Sequence, residues 1–126
     1  MTQPLALLSH AQLLQAASLS APQGGGHFAV HNPATQQAIA WVADMGAAQT
    51  EVAIASAHAA LPAWRGLTAY ERSRMLRRWF DLLQQHQADL ARIMTAENGK
   101  PTAEALGEVQ YAASFVEWYA EEAKRA

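Results

Sequence analysis

The sequence predicts a mainly α-helical fold with a β-hairpin near its N-terminus. Residues 27–44 alternate apolar and polar side chains on either side of an Asn-Pro turn, a pattern typical of hairpins. From residue 47 onward the apolar residues recur at helical spacing, and a capping box opens one of these helices. We divide the chain into an N-terminal helix with a glycine-rich turn, residues 1–26, and a hairpin followed by helices, residues 27–126.

The composition restricts the classes of protein to which the chain can belong. Apolar residues make up 51% of the 126 residues and charged residues 16%, which favours a folded chain over a disordered one. A net charge of −2 does not favour binding to nucleic acid or anionic membranes. No stretch reaches the roughly 20 apolar residues of a membrane span, so we expect a cytoplasmic protein. The absence of cysteine excludes disulfides, thiolate zinc sites and a cysteine nucleophile within this chain.

Residues 1–26 predict a short helix and a turn. The segment Ser-His-Ala-Gln at residues 9–12 has the spacing of a capping box. The apolar residues at helical intervals are Leu8, Ala11, Leu14 and Ala17. Three glycines at residues 24–26 match neither the dinucleotide nor the P-loop pattern, and a strand follows them, so they predict a plain turn.

Residues 27–32 and 38–44 predict the two strands of the hairpin. Asn-Pro-Ala-Thr at residues 32–35 suits a type I turn with proline in second position. The residues that then share one face of the return strand are Ile39, Trp41 and Ala43. His27 and His31 also share a face, but about 13 Å separates them and no acidic ligand is near. We interpret both as surface histidines rather than metal ligands.

Residues 47–61 are alanine-rich and predict a helix suited to close packing, which ends at Pro62 and Gly66. Thr-Ala-Tyr-Glu at residues 68–71 is a capping box that opens the next helix. Its apolar positions are Met75, Leu76, Trp79, Leu82 and Leu83, continued by Leu90, Ile93 and Met94. Gly99 then suits the left-handed position after a helix, and Pro101 can start the following one.

Residues 102–125 predict a final helix with two apolar stripes. The first stripe consists of Ala105, Val109, Ala112, Val116 and Ala123. The second lies roughly 120° around the axis and consists of Tyr111, Phe115 and Trp118. A helix on the outside of a small domain needs one such stripe. We therefore expect the second to be covered by elements outside this sequence, as in a truncated part of a larger protein.

For each of the remaining candidate site residues, a purely structural role competes with a functional one. His10, His58 and His86 are isolated and predict helix-surface positions. The arginines of the third helix favour solvated or ion-paired positions over nucleic-acid binding, because they spread around the axis; they are Arg72, Arg74, Arg77 and Arg78. Tyr111 and Phe115 line a ligand tunnel or belong to a core, and both alternatives stay open.

Eight motifs together resemble the aldehyde dehydrogenase family. They are VHNPAT (30–35), VADMG (42–46), AHAALPAWR (57–65), ER (71–72), LRRWF (76–80), DLARIMT (89–95), ENGKP (97–101) and YAASFVEW (111–118). The last of these, with residues 120–125, is similar to the succinate-semialdehyde branch. The resemblance covers residues 28–125. It departs at residues 13–19, where the family commonly has an early strand, and at Asn98, where the branch often has glutamine.

The resemblance implies the N-terminal part of an α/β fold, an incomplete cofactor-binding domain, whose full-length enzymes oxidise an aldehyde to an acid with NAD or NADP. It implies that the cysteine nucleophile, general-base glutamate and cofactor motif lie downstream, so no catalytic or cofactor-binding residue is assigned here and no cofactor is expected to bind this chain alone. It also implies that Glu108, Tyr111 and Phe115 border the substrate entrance. For the full-length enzyme, the resemblance implies a homodimer or homotetramer.

Two hypotheses for function follow. The first is the N-terminal portion of an NAD(P)-dependent aldehyde dehydrogenase that oxidises succinate semialdehyde or a close homologue, inactive as an isolated chain. The second is a noncatalytic helical module, descended from a truncated gene, that binds a partner through its exposed apolar face. Self-association of the isolated chain is expected under both, because a large apolar patch favours association.

Overall fold

The computed structural model describes residues 26–125. Within this range the chain forms the predicted two-stranded hairpin followed by four helices, where the sequence pattern predicts three. The predicted N-terminal helix, its capping box at residues 9–12, His10 and the first two glycines of the turn lie outside the described residues. The third, Gly26, begins the first strand.

The hairpin pairs β1 (Gly26–His31) with β2 (Ala38–Asp44) in antiparallel register. Val30 lies opposite Ala40 and His31 opposite Ala38, so Ile39 is the extra residue of a β-bulge. Asn32 closes the turn, because its Oδ1 accepts the backbone N–H groups of the second and third residues after it at 2.9 and 3.2 Å. The strand pairing confirms the predicted hairpin, and these contacts place its turn at Asn32.

Helix α1 (Ala47–Gly66) is longer than the sequence predicts. The helix does not stop at Pro62, so that part of the prediction is wrong, but its end at Gly66, the other predicted marker, is confirmed. Pro62 lacks an N–H, so the carbonyl of His58 loses its helical partner. His58 is exposed, as predicted, and water can replace that partner, so the helix continues. The helix has no buried residue, so the close packing expected of its alanines is not formed within the described residues.

Helices α2 (Ala69–Gln85) and α3 (Gln87–Asn98) divide what the apolar pattern presents as one run. The break is at His86, whose φ of −105° and ψ of 13° leave the helical region. His86 is half-buried at this junction, and its carbonyl accepts the N–H groups of Asp89 and Leu90. The prediction of a helix-surface histidine is therefore wrong here. The break allows α2 and α3 each to pack against the last helix.

Helix α4 (Thr102–Glu122) lies against both α2 and α3 and holds most of the small core. Its buried residues are Ala105, Val109, Ala113 and Ala120. Placing Ala112 in the buried stripe is therefore wrong, since Ala113 is buried and Ala112 is exposed. The buried stripe belongs to a helix that contacts both α2 and α3. The second predicted stripe, with Tyr111, Phe115 and Trp118, is exposed along its length.

The described residues leave a large apolar surface uncovered. Their buried apolar residues are five alanines and one valine. All four tryptophans fall in the described range and are 41–62% exposed. The predicted apolar face of α2 is likewise divided: Leu76 and Leu83 are half-buried, while Met75, Trp79 and Leu82 are exposed. Patches of this kind mark surfaces that contact other protein. No helix in residues 26–125 is long and apolar enough to cross a membrane.

Candidate functional site

The link between α3 and α4 positions the candidate site. Gly99 adopts φ 79° and ψ 6°, and its N–H donates to the Thr95 carbonyl at 2.9 Å, which ends α3 as predicted. Pro101 caps α4, since its carbonyl accepts the N–H groups of Glu104 and Ala105 at 3.0 Å each. Three residues, Gly99, Lys100 and Pro101, therefore suffice to reverse the chain and set the start of α4 beside the end of α3.

Three predicted site residues, Glu108, Tyr111 and Phe115, share one exposed side of α4. Because they are spaced three and four residues apart, their side chains lie on the same side of successive helical turns. The Tyr111 and Phe115 rings pack edge to face, with centroids 4.8 Å apart and planes at 80°. The structure thus favours an exposed aromatic surface over a core for this pair within the described residues. Their role at a substrate entrance stays a prediction.

An apolar groove of about 380 Å³ adjoins this stripe. Its apolar wall comes from three helices: Leu83 of α2, Leu90, Ile93 and Met94 of α3, and Val109 and Ala112 of α4. Glu97, Asn98 and Glu108 add polar groups. The sequence pattern assigned the apolar residues to packing faces and missed the groove. One feature of the sequence could have indicated the groove: Ala112 has a small side chain, whereas the residues of α3 that line the groove have longer side chains.

Lys100 is the functional candidate that the sequence did not single out. Its Nζ donates to Glu108 Oε1, across the link that joins α3 to α4. The lysine side chain is 26% exposed and the glutamate side chain 50%. A comparable ion pair lies at the far end of α4, where Lys124 Nζ donates to Glu121 Oε2 at 2.7 Å. This hydrogen bond lowers the pKa of Glu121 below its ordinary value.

The junction from β2 to α1 lacks the glycine-rich pattern of a dinucleotide-binding loop. The junction from β2 to α1 is at Gly46, and Gln49 Oε1 accepts the Gly46 N–H at 3.1 Å. A dinucleotide pyrophosphate needs free N–H groups in a loop with several glycines, whereas Ala47 and Ala48 follow Gly46 directly. We therefore derive no cofactor contact from this chain. Residues 26–125 also contain no cluster of three metal-ligating side chains, and His27 and His31 are both exposed.

The arginines of α2 make protein contacts. Arg77 Nη1 donates to Glu117 Oε1 at 2.8 Å, which links α2 to α4, and the Arg77 guanidinium lies 4.7 Å from the centroid of the Phe80 ring. Arg72 Nη1 donates to the Leu67 carbonyl at 2.8 Å. Arg77 is thus ion-paired, as one of the two predicted alternatives has it, although the pair is about half exposed, while Arg72 bonds to the backbone instead.

Comparison with known proteins identifies similar sequences and structures. A family model described as "Aldehyde dehydrogenase family" matches residues 20–126. Over 96 residues, 76% of this chain and 20% of the relative, the chain is 64% identical to a glutarate-semialdehyde dehydrogenase of Pseudomonas putida. Over an alignment of 96 residues that covers the same fractions of the two chains, it is 59% identical to the NADP(+) succinate-semialdehyde dehydrogenase of Escherichia coli. The chain therefore spans about a fifth of the length of the curated relatives it matches.

A solved structure is similar over the same region. The crystal structure of succinate-semialdehyde dehydrogenase from Burkholderia pseudomallei superposes with a TM-score of 0.77 at 55% identity. The match covers 79% of this chain and 21% of that chain. The hairpin and helices described above are thus an arrangement found in larger enzymes.

Proposed function

Because the chain belongs to the aldehyde dehydrogenase family, we propose that it is the N-terminal portion of an NAD(P)-dependent enzyme that oxidises a semialdehyde to its carboxylic acid. Succinate semialdehyde and its close homologue glutarate semialdehyde are the proposed substrates. The observation that carries this proposal is the identity of 64% and 59% to two dehydrogenases named for these aldehydes. The alternative, a noncatalytic helical module, has no support among these relatives.

The chain's own contribution to this reaction is structural and steric. It contains no cysteine, so the nucleophile that the family uses comes from another part of the whole enzyme. When bound, NAD or NADP accepts the hydride. The residues that would bind this cofactor lie outside those described here. This chain alone lacks that cysteine nucleophile, and we expect no oxidation from it in isolation.

Helix α4 forms one wall of the proposed substrate entrance, with Glu108, Tyr111 and Phe115 facing the aldehyde's tail. The edge-to-face contact of the two rings supports this role, because it sets two aromatic side chains next to each other on an exposed side of the helix. Ligand sites typically combine an apolar wall with a few polar groups. The adjoining groove has this composition, with apolar side chains from three helices and two carboxylates.

The remaining apolar surface supports a larger assembly. In the proposed enzyme, the exposed tryptophans of β2, α1, α2 and α4 contact the rest of the polypeptide or a neighbouring subunit. A homodimer or homotetramer, as the resemblance implies, and a cytoplasmic location are parts of the same proposal. The intact mass of the native polypeptide tests whether this sequence is one portion of a larger enzyme: we expect a mass far above the 13.7 kDa of this sequence.

A chimera tests the role of α4. Residues 28–125 replace the equivalent segment of the Pseudomonas putida glutarate-semialdehyde dehydrogenase, and reduction of NAD(P) is followed with the semialdehyde. We expect Tyr111→Ala and Phe115→Ala to raise KM about two- to ten-fold, the effect of losing one aromatic contact. Tyr70→Ala is the matched control, since Tyr70 is an equally exposed tyrosine on α2. An unchanged KM in both α4 variants would contradict the proposed entrance.

A further inference from the structure

Lys100 and Glu108 form an ion pair at the border of the groove. Lys100 follows the left-handed Gly99, and Nζ reaches the first turns of α4 to donate to Glu108 Oε1. The lysine side chain is about three-quarters covered, whereas half of the glutamate side chain faces solvent. The lysine is therefore held in place by its surroundings, and the more exposed carboxylate is held by the lysine.

The position of Glu108 allows its negative charge to act on molecules that pass along the groove and the aromatic stripe. It lines the groove together with apolar side chains, and it lies one turn before Tyr111 on the exposed aromatic stripe. A carboxylate beside an apolar wall is screened less than one surrounded by water. Without a partner, it repels any anionic molecule that passes along the stripe. Glutarate and succinate semialdehydes are such molecules, since each carries a carboxylate at the end opposite the aldehyde.

We propose that Lys100 determines specificity at the substrate entrance: by neutralising Glu108 it allows an aldehyde that carries a carboxylate to pass along α4. Lys100 is a positioning residue, since it acts through Glu108 and touches no reacting atom. The inference rests on the proposed function, because it takes the Glu108–Tyr111–Phe115 side of α4 as the entrance. It adds a charge rule: the net charge of the pair sets the preference between anionic and neutral aldehydes.

The test uses the chimera described above, with two aldehydes of equal chain length, glutarate semialdehyde and neutral pentanal. Lys100→Met leaves a charge of −1 at the pair, and we expect KM for the semialdehyde to rise about two- to five-fold, the range for exposed ion pairs. Glu108→Gln leaves +1 and lowers that KM by a similar factor. The double variant returns it to the starting value. KM for pentanal stays unchanged throughout, and 0.5 M NaCl removes the differences because salt screens exposed charges.

Lys124→Met is the matched control, since it breaks the comparable Lys124–Glu121 pair away from the groove. We expect it to change neither KM. The inference would be overturned if Lys100→Met changed KM equally for both aldehydes. It would also be overturned if Glu108→Gln left KM for the semialdehyde unchanged. Glu108→Gln carries the test alone if the lysine variant does not fold. If the pair has no effect but Tyr111→Ala and Phe115→Ala raise KM, only this inference fails. If none of these variants alters KM, the proposed entrance fails as well.

Discussion

Gly99, in the link before α4, lies directly against Pro33, in the turn of the hairpin. A methyl group on Gly99 would be 2.8 Å from Pro33 Cγ, well inside van der Waals contact. Pro33 and Gly99 are 66 positions apart in the sequence, and the fold brings the hairpin turn onto the α3–α4 link. The contact joins the strand part of the chain to the helices that carry the candidate site.

Gly99→Ala is expected to destabilise the chain by about 1–2 kcal/mol from its left-handed backbone alone, with a further cost from the clash. Urea unfolding followed by circular dichroism measures the change. Pro33→Ala added to Gly99→Ala removes the ring and should recover part of the loss, but not the backbone cost. Gly107→Ala is the control: nothing lies within 4 Å of its added methyl, so it should stabilise α4 by about 0.5–1 kcal/mol. Equal effects of the two alanines would contradict the contact.

Ala113 and Ala112 are neighbours with opposite environments. Ala113 is fully buried in the packing of α4, so Ala113→Leu should cost about 1–3 kcal/mol through overpacking. Ala112 faces the open groove, and Ala112→Leu should change the free energy of unfolding by no more than about 0.5 kcal/mol. The same urea experiment compares them. The reverse order would show that the buried stripe follows the simple sequence pattern instead.

Thr68 and Glu71 form the capping box of α2. The Thr68 N–H donates to Glu71 Oε2 at 2.8 Å, and the Glu71 N–H donates to Thr68 Oγ1 at 3.3 Å. Thr68→Ala should cost about 1 kcal/mol, the typical value of such a cap. Thermal unfolding at neutral pH measures it.

The same cap makes stability depend on pH. The Thr68 backbone hydrogen bond, helped by the Thr68 hydroxyl, lowers the pKa of Glu71 below its ordinary value of 4.5. A lowered pKa in the folded state contributes stability above the ordinary value, which is lost as pH falls through the lowered one. The difference in melting temperature between the wild type and Glu71→Gln should therefore shrink below pH 4.5. A difference that does not vary with pH would exclude this carboxylate.

Arg77 and Glu117 link α2 to α4 at 2.8 Å, and both side chains are about half exposed. Solvent and salt screen such a pair, so a double-mutant cycle with Arg77→Met and Glu117→Gln should give a coupling of about 0.2–1 kcal/mol. The coupling should nearly vanish in about 1 M salt. Because Arg77 also lies over the Phe80 ring, Arg77→Met should cost more than Glu117→Gln. A coupling that persists in high salt would indicate a less exposed pair.

The sequence by itself determined the local structure. The Asn32 turn, the Thr68 cap and the left-handed Gly99 were all predictable, because each depends on bonds between residues a few positions apart. The stripe of Glu108, Tyr111 and Phe115 also followed from the sequence, since helical spacing fixes which side chains share a side.

Tertiary structure decided which of these sides is covered. The pattern could not show that Ala113 rather than Ala112 is buried, that the run of α2 and α3 breaks at His86, or that Lys100 reaches Glu108. Each depends on how α4 packs between two helices, and periodicity within one helix contains no information about the angle of its neighbours. The groove is likewise a property of three helices together, which no single segment of the sequence specifies.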